Sequence, residues 1–199
     1  SGTKSLTLES GTYYWIYALN TSGGSYTDTS LTGQITEDKS VNVNYWTAKA
    51  VASTYVASAY VGTGTSPTAG SVVVLNGTNV YFKATKGSAT GYTYSDTINW
   101  AKTAGNVAAF TSTSDSASAA KAITATTTMT ATTTRTLNTY TLTVNTLLDG
   151  TKQNVTGCTT VRVYTNTTNT RGSTYTDITM SSGTKSLTLE SGTYYWIYA

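Results

Sequence analysis

Acid–base catalysis near neutral pH most often uses histidine, and this chain of 199 residues has none. Its single cysteine, Cys158, therefore has no imidazole to take its proton, so a thiol nucleophile pair is missing. The common zinc ligand sets fall with the same absence. Nine carboxylates remain, scattered along the chain. A glycosidase needs two acids about 5 to 9.5 Å apart across a cleft, and nothing in their spacing points to such a pair. Glu37 and Asp38 offer adjacent oxygens to a hard cation such as calcium. Neighbours on a strand point apart, however, and a solvated turn suits them better. Gly62-Thr63-Gly64 lacks the order of a phosphate-binding loop. A Lys–Asn isopeptide crosslink needs a buried acid beside the pair, which the sequence does not locate. The expectation is a protein that is not an enzyme and takes no cofactor or metal.

The residues that do stand out are duplicated. SGTKSLTLESGTYYWIYA occupies positions 1–18 and again 182–199, without one substitution and at an offset of 181. Self-similarity at a fixed period signals an array. This period is far longer than the 20 to 50 residues of a solenoid repeat, so each unit should hold whole domains. The simplest source is a polypeptide or polymer built from a 181-residue unit.

Composition sets the class. Threonine supplies 48 residues and tyrosine 16, against one proline and 11% charged residues. Branched and aromatic side chains suit a pleated, half-buried surface, so the chain reads as all-β. Twelve basic residues stand singly, with no stripe for phosphates, which speaks against a nucleic-acid partner. No apolar run reaches the ~20 residues of a membrane span, and no signal peptide opens the sequence. Asn20, Asn76, Asn154 and Asn166 head N-x-[ST] sequons, candidate glycan acceptors in a secreted protein. Cys158 opens an alternating strand and reads as a small buried residue.

Alternation places strands at Leu6 to Leu8, Tyr13 to Leu19, Tyr26 to Ile35 and Ser40 to Trp46. A stretch rich in Ala, Ser and Thr from Ala48 to Ala69 reads as a linker. Strands resume at Val72 to Leu75, turn at Asn76-Gly77, and continue to Ala131. Asp149-Gly150 turns, Val161 and Val163 alternate, and the duplicated strand–turn–strand returns. Short strands with turn signals every 8 to 12 residues argue a sandwich.

Joining 137–199 to 1–47 through the duplicate gives one domain that neither end holds whole. Its markers are Thr139-Tyr-Thr-Leu-Thr-Val, Gly157-Cys-Thr-Thr-Val-Arg-Val, Leu187-Thr-Leu, Gly192-Thr-Tyr194 and Val41-Asn-Val-Asn-Tyr45. This pattern resembles the carboxypeptidase-regulatory-like and PEGA groups of small β-sandwich domains. The resemblance implies a core face of Tyr13, Trp15 and Tyr17, repeated at Tyr194, Trp196 and Tyr198. Tyr14, Ile16 and Ala18 would then pack on a neighbour. Residues 48–136 would hold the linker and a second sandwich that resembles bacterial immunoglobulin-like domains. That likeness rests on Asn76 to Thr85, Ile98-Asn-Trp100 and Ala122 to Thr132, and it implies a buried Trp100.

The expectation is thus two immunoglobulin-like β-sandwiches per repeat, one completed across the repeat boundary. Function would be structural: an extracellular filament or cell-surface array whose partner is itself, joined through strand completion or a continuous tandem-repeat chain. Leu6, Leu8, Tyr13, Trp15 and Tyr17, with Leu187, Leu189, Tyr194, Trp196 and Tyr198, would form the joint. The alternative is an adhesin or carbohydrate-binding module, with Tyr92-Thr93-Tyr94 or Trp46 as a platform for glycans.

Overall fold

The computed structural model describes residues 2–19 and 25–199. Every regular element among them is a β-strand, and the protein is all-β. The chain divides into two compact units, Ser1–Gly87 with Tyr94–Thr134 and Ser88–Thr93 with Arg135–Ala199.

The first unit opens with an antiparallel pair, β1 (Tyr13–Leu19) and β2 (Ser25–Gln34). Then come β3 (Tyr45–Ala52), β4 (Val56–Gly62), β5 (Ser71–Leu75) and β6 (Thr78–Lys86). After β7 (Tyr92–Tyr94) follow β8 (Thr97–Ala104), β9 (Phe110–Thr113), β10 (Lys121–Ile123) and β11 (Thr127–Thr132). A five-stranded sheet, β5-β3-β11-β8-β9, and a three-stranded sheet, β10-β6-β4, enclose one core. Alternation builds it: Val80, Phe82 and Ala84 on β6 meet Ile98 and Trp100 on β8, and Met129 and Ala131 on β11. Thr133, buried in the same unit, keeps its hydroxyl satisfied on the Ser95 and Thr97 carbonyls at 3.0 and 2.8 Å.

The stretch 48–69 is not a linker. It supplies β3 and β4, with Ala48, Ala50 and Val61 in the core. Alanine has little strand propensity, but it fits where two sheets approach closely, and tertiary packing overrides propensity here. Residues 40–44, expected as part of a strand, form none; β3 begins at Tyr45, next to Asn44, whose carbonyl accepts the Asn76 N–H at 2.9 Å. Alternation describes a surface fit for a sheet, and it needs a partner edge to become one.

The second unit contains β12 (Arg135–Leu137), β13 (Thr139–Asn145), β14 (Leu147–Leu148), β15 (Thr151–Lys152) and β16 (Thr160–Asn166). It ends with β17 (Tyr175–Thr179), β18 (Thr184–Glu190) and β19 (Tyr194–Tyr198). Strands run β17-β16-β19 in one sheet and β13-β18 in another. Between them lie Val144, Val161, Val163, Ile178 and Met180, with Leu142, Cys158 and Leu187 packed alongside. Among the described residues this core has five buried members against thirteen in the first unit. Such a small core is thin support for a unit of this size.

Candidate functional site

The two copies of the duplicated segment share a turn and little else. In each, a glycine with positive φ (Gly11 at 88°, Gly192 at 85°) lets the chain reverse. In each, the threonine N–H donates to the glutamate carbonyl three residues back at 3.1 Å, Thr12 to Glu9 and Thr193 to Glu190. The turn is therefore encoded locally.

The flanking strands depend on their neighbours. In the second copy, Thr184–Glu190 is β18 and pairs along its length with β13, Leu187 opposite Leu142. In the first copy the same residues, 3–9, form no strand, and Leu6 is 81% exposed. Leu8 and Leu189 are half-buried. In the first copy Leu6, Leu8, Tyr14, Trp15, Ile16, Ile35 and Val41, with Lys4 and Lys39, line an open groove of about 280 Å³. Tyr13–Leu19 pairs with β2, whereas Tyr194–Tyr198 pairs with β16.

The face expected in the core is reversed. Tyr13, Trp15 and Tyr17 are 61–65% exposed, and Tyr14 and Ile16 are the better covered residues. In the second copy β16 sends Val161 and Val163 to the core, and Val163 stands opposite Ile197. Ile197 and Tyr195, the counterparts of Ile16 and Tyr14, share the face of Val163, but they are 44% and 51% exposed and Trp196 is the half-buried residue of β19, so in the second copy neither face enters the core. Tyr194, Trp196 and Tyr198 share the outer face with Arg162 and Tyr164. Tyr13 and Trp15 stack on each other with centroids 6.4 Å apart. Trp15→Ala is accordingly expected to change stability by less than about 1 kcal/mol, measured by urea unfolding. A loss of about 3 kcal/mol or more would return that ring to a core.

On the outer face of the second unit, Tyr164 contacts Tyr175 and Tyr198, each with centroids 5.4 Å apart. Their planes are tilted by 54° and 75°, and guanidinium groups lie over the rings, Arg162 on Tyr175 at 3.8 Å and Arg171 on Tyr164 at 4.7 Å. Arg162 also grips Asp177 with two hydrogen bonds of 2.7 and 2.8 Å, which hold that carboxyl below its ordinary range. Trp46 packs on the first core and donates Nε1–H to Asn76 Oδ1 at 3.0 Å. Arg135 lies over Tyr92 at 3.8 Å, and Tyr94 meets Tyr55 edge-on.

Of the sequon asparagines, Asn20 lies outside the described residues. Asn154 and Asn166 donate their amide nitrogens to the carbonyls of Ser181 and Thr170 at 2.5 and 2.6 Å. Asn76 is half-buried at the β5–β6 turn. Among the described residues no three His, Cys, Asp or Glu gather, and no helix is long and apolar enough to cross a membrane. Cys158 is half-buried against the second core. Comparison with models of known protein families, with curated proteins and with solved structures finds no match.

Proposed function

We propose that this chain is a structural repeat of an extracellular filament or cell-surface array, assembled from copies of itself. One observation carries the reading. Eighteen identical residues fold against different partners in their two positions, so each copy meets only part of its surroundings. The exposed Leu6 and the groove in the first copy, and the thin core around the second, are the two halves that a repeat boundary would join. Immunoglobulin-like sandwiches, whether of the carboxypeptidase-regulatory-like or bacterial kind, suit such a spacer role, and glycans on sequons fit an outer surface.

The alternative, a carbohydrate-binding module of an adhesin, is less well supported. The platforms expected from the sequence are closed, since arginine covers Tyr92 and Trp46 is tied to the core, and the exposed row of Tyr13, Trp15 and Tyr17 lies on the strand that the array reading uses as its joint. Electron microscopy of native material tests the reading. Two sandwiches end to end should repeat axially at roughly 70 to 90 Å. Dispersed monomers would overturn it.

A further inference from the structure

Each copy of the duplicated strand lies at the edge of its sheet and leaves one side unpaired. In an antiparallel ladder the N–H and C=O of one residue point to the same edge, and successive residues alternate edges. On β16, the Thr165 N–H donates to the Thr174 carbonyl at 3.2 Å, towards β17. Arg162, Tyr164 and Asn166 therefore turn their main-chain groups to β19, where they meet Tyr198, Trp196 and Tyr194. Tyr195 and Ile197 face the other edge, and β19 ends its sheet there.

The first copy shows the complementary choice. Ile35 N–H donates to the Thr12 carbonyl at 2.8 Å, and the register runs on through Tyr14 opposite Gly33. Thr12 and Tyr14 thus face β2, and Tyr13 and Trp15 face an edge that β1 leaves open. Tyr14 corresponds to Tyr195, and Tyr13 and Trp15 to Tyr194 and Trp196. One sequence uses opposite edges in its two positions.

Side chains agree with the backbone. The Tyr14 ring lies over Gly33, where an added Cβ would stand 2.9 Å from its hydroxyl oxygen. Its counterpart Tyr195 has no such seat and is 51% exposed.

We infer that the occupant of both open edges is another copy of this sequence, which makes the shared segment the central strand of a four-stranded sheet. The order is β17, β16, shared strand, β2. Where β1 is itself the preceding repeat's copy of the shared segment, that repeat's β16 lies along it, placing its Asn166 and Tyr164 opposite Tyr13 and Trp15, up to the register shift between Trp15 and Tyr17. A neighbouring copy's β2 lies along β19, with its glycine 33 beneath Tyr195. The groove of Leu6, Leu8, Ile16, Ile35 and Val41 then closes over the valines of β13 and β16. This inference rests on the array reading and specifies its joint.

The test extends the full chain beyond Ala199 by a second copy of residues 19–46 and follows amide hydrogen exchange by NMR. In the present chain the Trp196 amide, facing β16, should be protected and the Tyr195 amide, facing the open edge, should exchange freely. Extension should slow Tyr195 by about tenfold or more while Trp196 stays protected and reports an intact unit. Gly33→Val in the added copy should remove that gain by clashing with the Tyr195 ring. A Tyr195 amide unchanged by the extension, or slowed equally with the valine present, overturns the joint. A missing axial period in native material would remove the array reading and leave the joint standing, so the two failures are distinguishable.

Discussion

Trp100→Ala should cost about 3–5 kcal/mol, the range for emptying a large aromatic site in a well-packed core. Trp100 is 1% exposed, with Phe82 and Phe110 rings at 5.3 and 5.7 Å, the latter nearly parallel at 19°. Its indole N–H donates to Ser112 Oγ at 2.9 Å, so truncation opens a cavity and also strips a partly buried hydroxyl of its donor. The loss should appear in denaturant unfolding as a lower midpoint with an unchanged slope. Trp100→Phe should recover more than half of it by refilling the ring site without the hydrogen bond. An alanine variant within about 1 kcal/mol of the parent would mean that the two sheets do not close on this residue.

Gly183→Ala should be nearly as damaging, and its twin gives an internal control. Gly183 has φ +72°, and an added Cβ would stand 2.5–2.6 Å from the backbone of Gln153. Its N–H and carbonyl are also committed, to Asn154 Oδ1 at 3.1 Å and the Thr146 N–H at 2.9 Å, so the chain has little room to move. Left-handed strain of about 1–2 kcal/mol adds to an overpacking cost of about 1–3 kcal/mol. Gly2 is the same residue of the first copy and has nothing within 4 Å of its missing Cβ. Gly2→Ala should stay within about 0.5 kcal/mol of the parent. Thermal unfolding of the two variants compares one substitution in one local sequence; equal effects would show that the copies share an environment.

The all-β class was legible because threonine, valine and tyrosine in alternation have few other uses. The turns at Gly11, Gly77 and Gly192 were legible too, since positive φ selects glycine and acts within four residues. What the sequence hid depends on partners. Whether Tyr13 or Tyr14 is the better covered residue is decided by how β1 sits against β2, where Tyr14 lies opposite Gly33, and both faces of that strand are apolar enough to serve. Ala48 and Ala50 looked like linker because small side chains advertise nothing until a second sheet covers them. Val41 and Val43 looked like strand because alternation does not say whether a neighbour exists. The identity of the duplicated segment was plain at once. Its two different pairings needed coordinates, because they are properties of edges and not of residues.

The short connection between β17 and β18 has a kinetic consequence. Only Met180 to Gly183 separate them, and β18 with its turn then delivers β19 to β16, so fourteen residues, 180–193, lie between β17 and the strand that pairs with β16. Copies with identical side chains make identical contacts, and contact energy cannot tell a chain's own segment from a stranger's. Connectivity must decide, and so short a tether gives an effective concentration in the millimolar range. A free chain at micromolar concentration is outcompeted by about three orders of magnitude on that arithmetic. The same tether that makes each joint reliable therefore also keeps neighbouring polymers from exchanging strands, so a crowd of identical repeats can fold side by side without tangling.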